Sequence, residues 1–254
     1  MAQPVHNNKS ALRSFLARNP FGGPFTDGLF FRDKMRAIHE IAPDEPVSRL
    51  LEIGGGQSGL SALLYANAWV VNLDMDERFA RSHCNRQPNV SFCTADATNL
   101  PFANASFDMV TMFDLLEHVQ DDSRAANEAM RVLRPGGWLL ISTPERLRWR
   151  YPYYRIFKPI CPREEELFKE WGHVRRGYTI DELNFLLGMP AARGTSFINA
   201  LLALSHDVSF SRVAKPWRLM LHGLLAPASL LGWFAHRKLG AGTEIAAAWQ
   251  KPSE

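Results

Sequence analysis

Arg49-Leu50-Leu51-Glu52-Ile53 runs directly into Gly54-Gly55-Gly56-Gln57-Ser58-Gly59, and this stretch decides the fold. A short apolar run that halts at a glycine turn reads as a buried strand, and residues 57–67 then read as a helix. Gly54, Gly56 and Gly59 spell GxGxxG, and Asp74 closes the next apolar run, 69–74, twenty residues after Gly54. Such glycines let the backbone approach a ligand, and a carboxylate at the end of the second strand accepts hydrogen bonds from ribose hydroxyls. The helix N-terminus at 57–60 would favour a ligand carboxylate.

Working outward, the alternation continues. Residues 77–85 read as a helix, 90–93 and 107–113 as strands, and 121–133 as a helix stopped by Pro135-Gly136-Gly137. Residues 138–143 read as a strand ended by Pro144. A helix at 179–187 opens on Thr179 with Glu182 in the capping-box position, followed by strands at 194–199 and 243–249. On the amino-terminal side, 27–41 has helical periodicity ended by Pro43 and Pro46, and 1–26 is a polar, irregular arm. Strands alternating with helices predict an α/β protein with a mainly parallel sheet, whose ligands sit outside the carboxyl ends of the strands.

Composition narrows the class. The chain has 254 residues, 46% apolar and 22% charged, which excludes disordered, collagen-like and coiled-coil chains. A net charge of +3 carries no strong field toward nucleic acid. Cys84, Cys93 and Cys161 form no CxxC, so neither a disulfide framework nor a structural zinc site is expected, and a reducing compartment is the default. No metal-ligand spacing is visible and no metal is expected. The first twenty residues lack the apolar core of a secretory signal.

The ligand is decided by what accompanies the glycine turn. Glu52, two residues before Gly54, suits a ligand with positive charge and suits a pyrophosphate poorly. Asp96-Ala97 follows the third strand, where an acid can accept from an exocyclic adenine amine. Then come SFDMV at 106–110, DLLEHV at 114–119 and RVLRPGGW at 131–138. Together these resemble a class I S-adenosylmethionine (SAM)-dependent methyltransferase, within the large bacterial group related to quinone-biosynthesis methyltransferases. LLEIGGGQSG resembles the family's first motif, with Ser58 in place of its last glycine. VVNLDMD resembles the second, with Asp74 at the ribose position, and TADATNLPFANASFDMV the segment that sets Asp96 beside adenine. The resemblance covers 48–145 firmly and 173–198 weakly.

It implies a Rossmann-like α/β fold: a seven-stranded sheet of order 3-2-1-4-5-7-6, last strand antiparallel, with helices on both faces. It implies SAM as cofactor, held by Glu52, Gly54, Gly56, Ser58, Asp74, Asp96, Ala97 and Asp114. The chain then divides into an arm and helix (1–47), a methyltransferase core (48–199) with an excursion at 144–178, an apolar insertion (200–240) and a final strand (241–254). His118 lies just after the fourth strand, and its unperturbed pKa suits proton transfer near neutrality. It is the candidate general base, with Glu117 as rival; His173 is either a surface residue or one that closes over the site. Against methyl transfer stand a catalytically silent SAM-fold binder or membrane adaptor and, more remotely, a nicotinamide-dependent oxidoreductase.

Two segments lie outside this pattern. Residues 144–178 carry nine basic residues against five acids, with Tyr151, Tyr153 and Tyr154 interleaved; they form an anion-binding surface for the acceptor or a solvated lid. Residues 219–235 are free of Asp, Glu, Lys and Arg, at the bottom of the membrane-spanning range, and Pro227 is expected to break them as a helix. With Arg212, Lys215, Arg218, Arg237 and Lys238 around them, Trp217 just before them and Trp233 among them, they suit a membrane interface or a hairpin packed on the core or on a second subunit through 217–235. The acceptor is therefore expected to be a small molecule, anionic or lipid-linked. The protein is expected in the cytoplasm, peripheral at the inner face of the membrane.

Overall fold

A computed structural model describes residues 8–21, 27–236 and 239–253. Seven strands form one sheet: β1 Arg49–Ile53, β2 Trp69–Asp74, β3 Val90–Thr94, β4 Phe107–Phe113, β5 Leu133–Pro144, β6 Arg193–Phe197 and β7 Glu244–Gln250. Their order is β3-β2-β1-β4-β5-β7-β6. β1 to β5 pair in parallel, and β7 lies antiparallel between β5 and β6. The chain winds outward from β1 through β2 and β3, then returns to lay β4 on the other side of β1. That reversal leaves a crevice at the carboxyl ends of β1 and β4, where ligands of open α/β sheets bind.

The helices are α1 Leu12–Ala17, α2 Asp27–Ile41, α3 Leu60–Leu64, α4 Asp122–Val132, α5 Glu164–Trp171, α6 Ile180–Leu187, α7 Ala200–Ser209 and α8 Lys215–Phe234. They cover both faces of the sheet. Successive residues of a strand point to opposite faces. Leu50 accordingly packs with Met35, Ile38 and Leu202, and Leu51 with Val110, Ala129 and Leu183. A strand buried on both faces must read as a continuous apolar run, which is why β1 was legible. Thr179 Oγ1 accepts from the Glu182 backbone N–H at 3.1 Å, and the Glu182 carboxylate accepts from the Thr179 N–H at 2.8 Å. Thr179→Ala should cost about 1 kcal/mol, read as a lower midpoint in urea unfolding at unchanged m-value.

Several expected elements differ. The arm is not wholly irregular: α1 buries Phe15, and Ser10 donates its N–H to Leu64 O. The helix expected over 57–67 shrinks to the five residues of α3, because Gly59 takes a left-handed φ of 59° and Tyr65 leaves helical geometry. So short a helix adds little dipole, and the carboxylate-binding N-terminus expected there is not built. The helix expected over 77–85 is two 3₁₀ turns, Glu77–Arg81 and His83–Arg86, parted by Ser82 in an extended conformation. Pro135-Gly136-Gly137 does not stand between helix and strand. It lies within β5, which starts at Leu133, and the register against β4 shifts between Phe107 and Met109.

The insertion at 200–240 is a helical hairpin, α7 and α8, docked on α2. α8 is continuous through Pro227, not broken there. Among the described residues no helix is long and apolar enough to cross a membrane. α8 turns polar residues inward: His222 Nδ1 lies 3.4 Å from Ser205 Oγ, and Ser229 is buried beside the same hydroxyl. Its outward positions are Trp217, Met220, Leu224, Pro227, Leu231 and Phe234, spaced three and four residues apart along one stripe. Leu224 is 75% and Phe234 80% exposed.

Candidate active site

Two cavities open at the carboxyl ends of the strands. One, of about 410 Å³, is lined by Gly54, Asp74, Met75, Asp96, Ala97 and Leu115, among others. The second, of about 380 Å³, is lined by Lys34 of α2, Asp114, Glu117, Trp149, His173 and Glu244, among others. Among the described residues, His118, in a single 3₁₀ turn after β4, is the one that lines both.

The first cavity is built by the ends of β1 to β3. Gly54 and Gly56 have φ of +73° and +50°, a region costly for other residues. A Cβ on Gly54 would come within 2.7 Å of Leu115 Cδ1, and one on Gly56 would stand 3.7 Å from Asp74 Oδ2. Asp74 Oδ1 accepts from the Asp76 N–H at 3.0 Å, and Asp96 Oδ1 from the Thr98 N–H at 2.8 Å, which fixes both carboxylates. Asp74, Asp96 and Asp121, apolar walls at Met75, Ala97 and Leu115, and no lysine or arginine among the described lining residues suit an adenosine. They offer nothing to a pyrophosphate, so a nicotinamide dinucleotide fits poorly.

Of the residues expected to hold the cofactor, Gly54, Asp74, Asp96 and Ala97 line this cavity together. Ser58 instead ties the glycine turn, its Oγ donating to Gly55 O at 3.0 Å. Gly56 stands beside Asp74 without being among the lining residues. Glu52 lies behind the turn, fully buried. Its Oε2 accepts from the Ser61 N–H at 3.3 Å, and its Oε1 has no hydrogen-bond partner. Asp114 is a correction of place: it lines the second cavity, where it pairs with Lys34 and accepts from Ser142 Oγ at 3.1 Å.

Burial pushes the Glu52 carboxyl from 4.5 up to about 7, against the Ser61 hydrogen bonds. The folded state therefore binds this proton more tightly than the unfolded state. Its contribution is full below about 4.5 and is lost as pH rises toward about 7. Glu52→Gln should flatten the fall in stability between pH 5 and 8, measured as urea midpoints; an undiminished slope would assign it to other groups. Glu117 and Glu244 add slopes of the same sign.

In the second cavity burial dominates again. It raises Glu117, with Asp114 adding repulsion, and pushes Glu244 to about 8. Glu117 accepts from Thr143 Oγ1 at 3.1 Å. Burial and the nearby His118 push His173 down to about 4, so it is neutral at pH 7. The two imidazoles meet edge-on at 4.6 Å between centroids. His173 is thus neither a lone surface residue nor a distant one. Donor atoms of Glu117, His118 and His173 lie within 4.8 Å of one another, a metal-competent trio that no spacing in the sequence announces. The excursion places Trp149, Trp171 and His173 on this cavity, and none of its nine cations lines it. Arg146, Arg163, Arg175 and Arg176 are instead paired with Glu182, Glu166, Asp122 and Glu164.

Sequence reasoning missed Lys34, Glu244, Trp149 and Trp171. For Lys34 a signal existed: Asp33-Lys34 interrupts an otherwise apolar helix face, and both are buried. The others come from segments whose distance in sequence hides their convergence.

Residues 51–141 match a family model described as a methyltransferase domain. The chain carries a class I SAM-dependent methyltransferase domain. It is similar to a protein of Mycobacterium tuberculosis named as a probable SAM-dependent methyltransferase, 32% identical over 122 residues, 48% of this chain and 44% of that one. It is also similar to a demethylmenaquinone methyltransferase of Renibacterium salmoninarum, 38% identical over 109 residues, 42% of this chain and 46% of that one. The chain thus spans less than half the length of these two relatives. The N-methyltransferase NodS of Bradyrhizobium japonicum, solved with S-adenosylhomocysteine (SAH), shares the fold: TM-score 0.56, 16% identity, 97% of this chain and 99% of that one. SAM is the cofactor of the methyltransferase domain.

Proposed function

We propose that the protein transfers a methyl group from SAM, held by Gly54, Asp74, Asp96 and Ala97, to a small or lipid-linked acceptor in the second cavity. The observation that carries this reading is that His118 lines both cavities. Bound in the first, SAM supplies a sulfonium methyl to an acceptor atom. This chain supplies alignment, which is worth about 7–11 kcal/mol when reacting groups are well oriented. His118 accepts the acceptor's proton at the junction, and the aromatic rings of the second cavity keep water out. Glu117 is the weaker base candidate: it is buried, and its carboxyl holds its proton well above the ordinary range. Titration calorimetry with SAH and with NAD⁺ tests the cofactor half of this reading. Tight SAH binding with no NAD⁺ heat is expected, and the reverse would return the oxidoreductase reading.

The outward stripe of α8 supports peripheral membrane contact, and with it a lipid-linked acceptor. A helix that lies in the headgroup layer buries one apolar face and sets cations beside it; Lys215 and Arg218 lie at the amino-terminal end of this stripe. The wild-type protein is expected to float with anionic liposomes at low salt. Leu224→Glu with Phe234→Glu should leave it in the soluble fraction with SAH binding intact. If wild type also stays behind, the stripe is a contact between copies or a packing surface, and lipid delivery is wrong.

A further inference from the structure

The second cavity is short of positive charge. Asp114, Glu117 and Glu244 line it, and among the described lining residues the only lysine or arginine is Lys34. Lys34 is spoken for by Asp114, with which it forms an ion pair. His173 lines the cavity too, and its Nδ1 is buried without a hydrogen-bond partner. The remaining wall is mostly aromatic, with Phe30, Phe31, Trp149, Trp171 and Phe210. Ring faces carry the negative side of the aromatic quadrupole and attract cations.

These groups exclude the anionic acceptor that the basic excursion suggested. An anion would face three acidic groups and, among the described lining residues, one lysine that is already paired with Asp114, so nothing in the wall is free to neutralise it. A neutral occupant would make no use of the acids at Glu117 and Glu244; an ammonium group beside them would favour the ionised form of both and pair with it. Lys34 already reports this field: its ammonium is held above the ordinary lysine range although burial alone would lower it, because Asp114, Glu244 and Glu117 surround it.

We propose that the second cavity binds an organic ammonium group on an apolar body, its charge carried by Glu117 and Glu244 and its body by the aromatic wall. The cavity's 380 Å³ is within the range of small-molecule sites. A bare metal ion would use Glu117, His118 and His173 but would leave the rings unused. The proposal deepens the methyl-transfer reading by naming the acceptor class, and it rests on that reading only for the word acceptor.

The test uses three molecules of nearly one shape: 2-phenylethylamine, 2-phenylethanol and 3-phenylpropionate. Their affinities are measured by calorimetry at pH 7.5, with and without saturating SAH. The amine should bind at least tenfold tighter than the alcohol, and the carboxylate not detectably. Glu244→Gln, and separately Glu117→Gln, should cut amine affinity about tenfold while SAH and alcohol affinities stay put. An alcohol that matches the amine, a carboxylate that binds best, or no amine binding at millimolar concentration overturns the proposal. So does stoichiometric Zn²⁺ uptake that His173→Ala abolishes and that displaces the amine. Failure of SAH to bind would instead strike the methyl-transfer reading, since the amine series is read without SAH as well.

Discussion

Asp74→Ala is expected to weaken SAM binding tenfold or more, with the folded state retained. Hydrogen bonds to an ionised acceptor are worth about 1.5–3 kcal/mol each, and a ribose presents two hydroxyls to one carboxylate. Asp74 stands at the end of β2 and lines the cavity, with Oδ1 engaged by the Asp76 N–H. Asp74→Asn separates the two jobs: it keeps an acceptor for Asp76 and gives up the charge. Its affinity should fall between those of wild type and Asp74→Ala. An unchanged dissociation constant in folded Asp74→Ala protein would remove Asp74 from the cofactor site.

His118→Ala is expected to lower kcat about a hundredfold or more, with SAM affinity near wild type. General base catalysis contributes on that scale, and His118 is the titratable side chain that lines both cavities. His173 is the control. Its imidazole touches His118, but burial holds it near 4, too weak a base to take a proton efficiently at pH 7. His173→Phe keeps a ring against His118 and should cost less than His118→Ala. If His118→Ala abolishes SAM binding, or leaves the rate alone, the residue serves structure and the acceptor's proton leaves by another route.

Much of the nucleotide half was readable in the sequence because it is local. β1, its glycine turn, Asp74 and Asp96 each sit at the carboxyl end of a strand, and a parallel sheet brings consecutive strand ends to one edge. Buried strands declare themselves as apolar runs, positive φ selects glycine, and the Thr179–Glu182 box spans three residues. Where local signals misled, a neighbour had overruled them. The helix over 57–67 lost its ends to left-handed Gly59 and to Tyr65, whose hydroxyl donates to Pro43 O at 2.6 Å. α8 stays helical past Pro227, which has no N–H to give, while His222 and Ser229 on either side of it both meet Ser205 of α7.

By itself the sequence determined the class of fold, the strand order through family resemblance, and which acids stand together at the strand ends, since each depends on residues within a few positions of a strand end. Tertiary structure alone decided the second cavity. Lys34 comes from α2, Glu117 and His118 from the turn after β4, Trp149 and His173 from the excursion, and Glu244 from the start of β7. No period or spacing links these positions. They meet because α2 and the excursion close over the carboxyl edge of the sheet while β7 returns antiparallel beside β5. The acidic character of that cavity, three carboxyl groups against one lysine among the described lining residues, is a property of the meeting, and burial, which no residue carries on its own, sets the protonation of its members.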